Sequence, residues 1–236
     1  MESRTLSAAD RAALEALATD LRQVFGTRLR SLVAYGLDTP ADPPVLHSLG
    51  LVERLTFDDL AACAPLVASW HRRGLAVPLL LEETEFGRTL DVFPLEYGEI
   101  IAHHVSITGD DAFEGASVAT EDTRRACEQL AKSQLIHLRE GYLETGGDTR
   151  AVAALVAASA PPLRSLLLSI DRLTGEDNDD VADVAERLIG IPAELVRDIM
   201  SAGRGSQGTI ADPTALLKRY IDALEQVWEY VDAWRR

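Results

Sequence analysis

The pattern of apolar and polar residues changes character near residue 115. Before that point, short apolar runs typical of β-strands occur at 30–35, 49–55, 76–81, 89–94 and 100–107. Two helices are predicted among them. Ser7 and Asp10 form a capping box for a helix over 7–25 that ends at Gly26. Thr56 and Asp59 cap a second helix that runs to about residue 73. This order predicts a small mixed sheet with helices packed on it.

After residue 115 the apolar positions recur with helical spacing. The predicted helices span 121–144, 149–159, 161–174, 180–189, 192–202 and 213–235. The last begins most clearly, with Asp212 as N-cap and Pro213 at the first helical position. Its predicted buried stripe is Leu217, Tyr220, Leu224, Val227, Val231 and Trp234. We therefore expect an α+β protein in which a small α/β domain (1–115) precedes an all-α helical bundle (116–236).

Composition narrows the classes of function. Of the 236 residues, 47% are hydrophobic and 26% charged, and the formal net charge is −15. Such a charge opposes nucleic-acid binding, which depends on basic residues that neutralise phosphates. No apolar run approaches the roughly 20 residues that span a bilayer, and the N-terminus lacks the basic and apolar regions of a signal peptide. These features predict a cytoplasmic protein without a membrane or nucleic-acid partner. Cys63 and Cys127 are too few for a disulfide framework.

Three segments carry a resemblance to a known family. "LRQVFGTRLRSLVAYG", "RTLDVFPLEYGEI" and "CEQLAKSQLIHLREGYLE" resemble the lead-in helix and first strand, a later acidic strand and the first long bundle helix of nucleotidyltransferases of the minimal and kanamycin type. The resemblance implies a Gly-Ser turn that holds phosphates. It also implies two carboxylates one residue apart on the second strand, and a third on a later strand. Such ligands hold two Mg²⁺ ions about 3.5–4 Å apart for phosphoryl transfer.

The chain departs from that pattern where the chemistry would lie. After Tyr35 the turn reads Gly36-Leu37, which replaces a hydroxyl with an apolar side chain. The paired acids would fall at Ser48 and Gly50, and neither is a carboxylate. Asp91 matches the third acid and would remain as a vestige of the catalytic set. One carboxylate cannot hold two metal ions, so we expect no resident cofactor or metal.

Other acids are candidates for a relocated metal site. Asp38 and Asp42 lie in the loop before the second strand, and Glu53 would face the opposite side of that strand from Gly50. Further candidates at helix starts or in a charged turn are Asp58, Asp59, Glu82, Glu83 and Glu85. Acids at a helix start usually serve the helix dipole, and a charged turn is usually solvated.

One arc of the helix at 121–144 is a candidate ligand surface. Glu128, Lys132, Arg139 and Tyr142 share this arc at about 100° per residue. In the resembled family this helix lines the cleft between the domains, so Lys132 and Arg139 would meet a nucleotide or small molecule there. The same ligand would contact Tyr35, Gly36, Leu37, Ser48 and Gly50. A purely structural alternative is a Glu–Lys pair beside a boundary arginine.

Weaker signals favour structural roles. His103 and His104 are adjacent on a predicted strand and would face opposite ways, so they cannot chelate one ion. His47 near the missing acids is interpreted as a solvated loop residue. "TGEDNDD" (174–180) lacks the ligand spacing of an EF-hand, and "SAGRGSQGT" (201–209) lacks the Gly-Lys-Ser/Thr of a Walker loop.

These observations predict a nucleotidyltransferase-like protein with a degenerate active site that binds or regulates and is not an enzyme. One alternative is an active nucleotidyltransferase that modifies a small molecule or protein, with relocated carboxylates, Mg²⁺ and a nucleoside triphosphate. Another is a helical interaction module without a ligand cleft. For the binding or regulatory protein, the sequence also allows a homodimer formed through the helical half.

Overall fold

The first helix begins and ends at the predicted residues. In the computed structural model, which describes residues 6–37, 45–110, 113–176, 178, 180–203 and 211–234, α1 spans Ala8–Phe25. Ser7 and Asp10 form the capping box, and Gly26 ends the helix with a φ of 60°. Leu14, Leu17 and Leu21 on its buried face are fully buried. Helix α1 packs these leucines on one face of a four-stranded sheet.

The sheet is mixed, with strand order β3-β2-β1-β4. Strand β1 (Leu29–Tyr35) lies antiparallel to β2 (His47–Val52) and to β4 (His104–Gly109), whereas β3 (Leu79–Glu82) lies parallel to β2. The connection from β2 to β3 carries α2 (Phe57–Cys63), a 3₁₀ turn (Ala64–Leu66) and α3 (Val67–Arg72). Trp70 of α3 is buried, and its indole N–H donates to Asp20 of α1 at 3.0 Å. The second helical segment thereby joins the core that α1 makes with the sheet.

One predicted strand is absent and another begins later than predicted. Residues 89–93 form a turn between α4 (Glu83–Arg88) and α5 (Pro94–Ala102). Helix α5 also replaces the first part of the strand predicted over 100–107, whose later part lies in β4. The Thr89 hydroxyl donates to the Glu85 carbonyl at 2.9 Å and helps to end α4. Pro94 then supplies the first position of α5, where its missing N–H costs nothing.

Helix α5 covers the face of the sheet opposite α1. It buries Leu95, Tyr97 and Ile100. Tyr97 and Ile100 pack with Phe86 and Phe113 against that face. The sheet therefore has an apolar layer on both sides.

The chain divides into two compact units, of which the first ends at Val118 and the second begins at Ala119. The second unit contains α6 (Thr120–Glu144), α7 (Thr149–Leu173), α8 (Val181–Val184) with a π-turn (Ala185–Ile189), α9 (Ala193–Gly203) and α10 (Pro213–Ala233). Five of the six residues in the predicted stripe of α10 are buried, and Trp234 lies just beyond the helix. The α+β class with a C-terminal helical bundle is confirmed.

Helix α7 corrects the prediction of two helices at 149–159 and 161–174. It continues through Pro161 and Pro162. Just before the prolines, the Ser159 carbonyl accepts hydrogen bonds from Gln134 of α6 and from the Tyr220 hydroxyl of α10, each at 3.0 Å. These two bonds tie α6 and α10 to α7 next to the prolines, whose missing N–H groups would otherwise serve the carbonyls of Ala157 and Ala158.

The continuous α7 is long and apolar enough to cross a membrane by length and composition, a test that core helices of soluble proteins also pass. The sequence predicts that no uninterrupted apolar run approaches 20 residues, and α7 reaches the length with polar residues such as Ser159 and Arg164 among its apolar ones. Eleven residues of α7 are buried in the bundle, including Val156, Leu163 and Leu167.

The acidic segment after α7 surrounds an arginine. Arg187 lies 2.7 Å from Asp171, 2.8 Å from Glu176 and 3.9 Å from Asp183. Asp171 is only 1% exposed. The Arg187 guanidinium thus lies among these three carboxylates. They belong to the region that the sequence analysis compared with a calcium-binding EF-hand loop. Positions 177 and 179 of that segment lie outside the described residues.

Candidate functional site

The end of β1 forms the glycine turn that the sequence predicts. Gly36 has a φ of 65°, a conformation that L side chains rarely adopt. Tyr35, just before it, pairs across the sheet with His47 on one side and His104 on the other. The rings of Tyr35 and His47 have centroids 5.8 Å apart, and burial raises the pKa of Tyr35. Leu37 packs against the core on the α1 side.

Strand β2 directs Ser48 and Gly50 toward α1. Gly50 pairs with Leu32, a residue of the core beneath α1. A Cβ at Gly50 would lie 3.0 Å from Leu80 and 3.8 Å from Leu21. Ser48 is 1% exposed, and its hydroxyl has no hydrogen-bond partner among the described residues. This face of β2 is therefore packed interior at Ser48 and Gly50.

The opposite face of β2 is equally apolar. Leu49 and Leu51 are buried in the second core, beneath an aromatic cluster of Phe86, Tyr97 and Phe113. The Phe86 ring centroid lies 4.9 Å from that of Tyr97 and 5.2 Å from that of Phe113. Two acids one residue apart would share one face of β2. Neither face of His47–Val52 carries a carboxylate. The paired acids are therefore missing from β2 whichever of its residues is aligned with the acidic positions of the resembled family.

Asp91 lies in the exposed turn between α4 and α5, off the sheet. The sequence placed it on a strand, and that placement is wrong because the strand does not form. Its role as a vestigial catalytic acid stays a prediction. Over the described parts of the chain, no three His, Cys, Asp or Glu side chains come close enough together to hold a metal ion.

Most of the other candidate acids have structural partners. Glu53 lies 2.5 Å from Arg30, and Glu83 lies 3.6 Å from the same arginine. Asp59 lies 2.6 Å from Arg28. Glu82 and Glu85 accept from backbone N–H groups, and Asp58 lies in the first turn of α2. Asp38 and Asp42 fall outside the described residues.

The two adjacent histidines have structural contacts, and both cysteines are buried. His103 caps the end of α5 and lies 3.4 Å from Glu99, whereas His104 begins β4 and lies 3.0 Å from the Ile101 carbonyl. Both thiols are buried. Burial raises the pKa of Cys63, and it raises that of Cys127 to about 12. Neither thiol is therefore ionised to a useful extent near neutral pH.

The arc of α6 singled out in the sequence lies beside α10. The Lys132 ammonium lies over the Trp228 ring, 3.8 Å from its centroid. Arg139 forms an ion pair with Glu225 of the same helix, and Glu128 lies 2.8 Å from Arg124. The backbone carbonyl of Tyr142 accepts from the Thr145 hydroxyl. The structure thus brings Lys132 and Arg139 to the α6–α10 boundary, and their role as ligand contacts stays a prediction.

A surface groove runs along this boundary within the helical unit. It has a volume of about 710 Å³ and is lined by seven side chains of α6, from Arg125 to His137, and by Trp228. We call it the α6–α10 groove. Sequence analysis identified Lys132 but missed Trp228, which lies beside the predicted apolar stripe of α10. Their contact joins positions 96 residues apart, so only the folded bundle reveals it.

No protein-family model matches the chain, and no curated protein matches it in sequence. Among solved structures, the chain is similar to that of spectinomycin adenyltransferase AAD(9) from Enterococcus faecialis with ATP and spectinomycin. The TM-score is 0.56 at 13% sequence identity, and the match covers 91% of this chain and 98% of the other. At that identity the likeness shows the fold alone. The chain has a nucleotidyltransferase-like α+β fold followed by a helical domain.

Proposed function

We propose that this nucleotidyltransferase-like protein does not transfer nucleotides and acts as a binding or regulatory protein. The observation that carries the proposal is the apolar packing of both faces of β2. Phosphoryl transfer through two metal ions needs several rigidly held oxygen ligands. Ser48 and Gly50 on one face, and Leu49 and Leu51 on the other, offer no carboxylate.

The aromatic cluster strengthens this proposal. Phe86, Tyr97 and Phe113 fill the space over Leu49 and Leu51 with closely spaced rings. Introducing a charged metal site there would bury charge in an apolar layer, which is costly without partners. The fold is therefore stabilised by apolar packing around β2, in place of the carboxylates that the resembled family uses to bind metal ions.

The test is a direct assay for turnover together with binding. The purified chain is incubated with ATP, Mg²⁺ or Mn²⁺ and spectinomycin, because the similar solved structure contains ATP and spectinomycin. Pyrophosphate release and the mass of spectinomycin are followed. We expect neither to change above a protein-free blank. Melting temperatures with ATP, GTP, CTP and UTP, each with and without metal, report any retained nucleotide binding.

The active-enzyme alternative has its own signature in this assay. Metal-dependent turnover that disappears in Asp91→Ala but persists in Glu96→Ala, a matched exposed acid of α5, would overturn the proposal and assign Asp91 to the chemistry. Turnover that survives both substitutions would also overturn it, and would point to Asp38 or Asp42.

One observation favours the interaction module as a second candidate. Helix α6 exposes Ile136 and Leu143, seven residues apart and so on one face, with exposures of 43% and 77%. Unpartnered apolar side chains on a long helix are typical of a surface that another protein covers. Absence of any nucleotide-induced shift would favour this candidate, including a homodimer through α6.

A further inference from the structure

The α6–α10 groove combines one uncompensated positive charge with an aromatic wall. Three of its four ionisable side chains already contact an ionisable partner that can carry the opposite charge. Glu128 lies 2.8 Å from Arg124, Arg125 lies 3.2 Å from Glu121, and His137 lies 3.5 Å from Glu140. Lys132 differs, because no carboxylate lies within 4 Å of its ammonium among the residues that the structure describes. It rests instead on the Trp228 ring.

The Lys132–Trp228 contact leaves the ammonium able to serve a ligand. A lysine carries three N–H donors, and the face of an indole attracts the cation without accepting a conventional hydrogen bond from each of them. An incoming anion would therefore find a positioned cation whose charge nothing else in the groove neutralises.

Neutral polar groups flank this cation. Gln129 lies one helical turn before Lys132, and Ser133 follows it, so both belong to the stripe of α6 that lines the groove. Within the described chain, no hydrogen bond to protein engages the side chain of Gln129 or Ser133. An amide and a hydroxyl beside an ammonium are suitable donors to carboxylate oxygens.

The remaining surface of the groove is apolar. Trp228 lines it while one face of its ring holds the Lys132 ammonium, and Ile136, one turn after Lys132, is 43% exposed. A ligand ring beside the indole and against the Ile136 side chain gains burial of apolar surface. The surrounding acids Glu121, Asp122 and Glu140 disfavour multiply charged anions such as nucleoside triphosphates.

We propose that the α6–α10 groove binds a small aromatic monocarboxylate, with the ring against Ile136 beside Trp228 and the carboxylate at Lys132. The inference deepens, and rests on, the proposed function as a binding protein. It names the site and the chemical class of the ligand. The groove lies wholly on α6 and α10, so it requires no contribution from the sheet.

Isothermal titration calorimetry with matched probes tests this proposal. Phenylacetate carries both ring and charge, phenylacetamide keeps the ring without charge, and acetate keeps the charge without the ring. We expect phenylacetate to bind at least about tenfold more tightly than either. Lys132→Gln should weaken phenylacetate binding by about tenfold or more. The same substitution at the only other lysine, Lys218→Gln, should leave binding unchanged because Lys218 is outside the groove.

Several outcomes would overturn the proposal. They are no heat of binding at millimolar phenylacetate, equal binding of phenylacetamide, unchanged affinity in Lys132→Gln, or tighter binding of adenosine monophosphate than of phenylacetate. The comparison among probes uses the native chain and so does not depend on how a variant folds. Pyrophosphate release is measured on the same preparation. Turnover of ATP would overturn the proposed absence of catalysis. The probe series would still show whether the groove binds an aromatic monocarboxylate.

Discussion

At the scale of single residues, the Arg28–Asp59 ion pair connects the start of β1 to α2. The guanidinium donates to both carboxylate oxygens, at 2.9 and 2.6 Å. Thr56 adds two further hydrogen bonds to the same carboxylate, from its backbone N–H and its hydroxyl. The bidentate contact with Arg28, followed by the bonds from Thr56, holds the pKa of Asp59 well below its usual range.

This shift predicts a pH dependence of stability. Since the pKa of Asp59 is lower in the folded chain than in the unfolded chain, its contribution is present above about pH 4 and declines as the pH falls further. Asp59→Asn removes the titrating group and keeps its shape. We expect the difference in unfolding free energy between native chain and variant to be largest at pH 5–7 and to shrink toward pH 3.

Urea unfolding at a series of pH values measures this difference. Asp58→Asn, at the exposed neighbouring position, is the matched control and should give a small difference that does not change over the same interval. A difference for Asp59→Asn that is equally constant from pH 7 to pH 3 would contradict the assigned ionisation.

At the scale of elements, the contact between α7 and α9 depends on Gly203. A Cβ at this position would lie 2.6 Å from the Cβ of Ala160 and 3.3 Å from the Ala157 carbonyl oxygen. Both neighbours belong to α7 near its prolines, where backbone movement is restricted by surrounding helices. The absence of a side chain at Gly203 therefore allows the end of α9 to approach α7 closely.

We expect Gly203→Ala to destabilise the chain by about 1–3 kcal/mol, the usual cost of forcing an extra carbon into a packed contact. Gly87→Ala in α4 is the control, because a Cβ there meets nothing within 4 Å. That substitution should be neutral or slightly stabilising, since alanine is the better helix former. Chemical denaturation measures both. Equal effects of the two substitutions would show that the α7–α9 contact is not tight.

The elements also show why some predictions from sequence were wrong. Residues 89–94 have the alternation of a strand, yet Pro94 starts a helix and the Thr89 hydroxyl ends the preceding one. Within 149–173, two prolines indicated a break that the folded bundle does not contain. In the first case one local signal, the helix start and stop, prevailed over another, the alternation. In the second case Gln134 and Tyr220, distant in sequence, bond α7 beside its prolines, and such contacts are absent from any short window.

At the scale of the whole molecule, net charge is the dominant property. With 38 acidic and 23 basic residues, the chain should repel polyanions at long range. We expect no binding to duplex DNA or single-stranded RNA in fluorescence anisotropy at physiological salt. A saturable rise in anisotropy that weakens steeply as salt increases would contradict this expectation, because it would reveal a basic surface that the overall charge hides.

The sequence by itself determined the elements whose signals are local. Capping residues and apolar periodicity predicted α1, α6 and α10 closely, since a helix satisfies its hydrogen bonds within its own segment. The sequence also shows directly that β2 lacks the paired carboxylates, because Ser48 and Gly50 are not acidic residues. The order of helices and strands was enough to suggest the fold.

Only the tertiary structure decided how distant positions meet. It placed Gly50 against Leu21 and Leu49 beneath Phe86, and so showed that both faces of β2 are covered by apolar packing. It also brought Lys132 onto Trp228 and created the α6–α10 groove. The physical reason is that packing depends on which surfaces face each other across the fold. That information is distributed over the chain and belongs to no single segment.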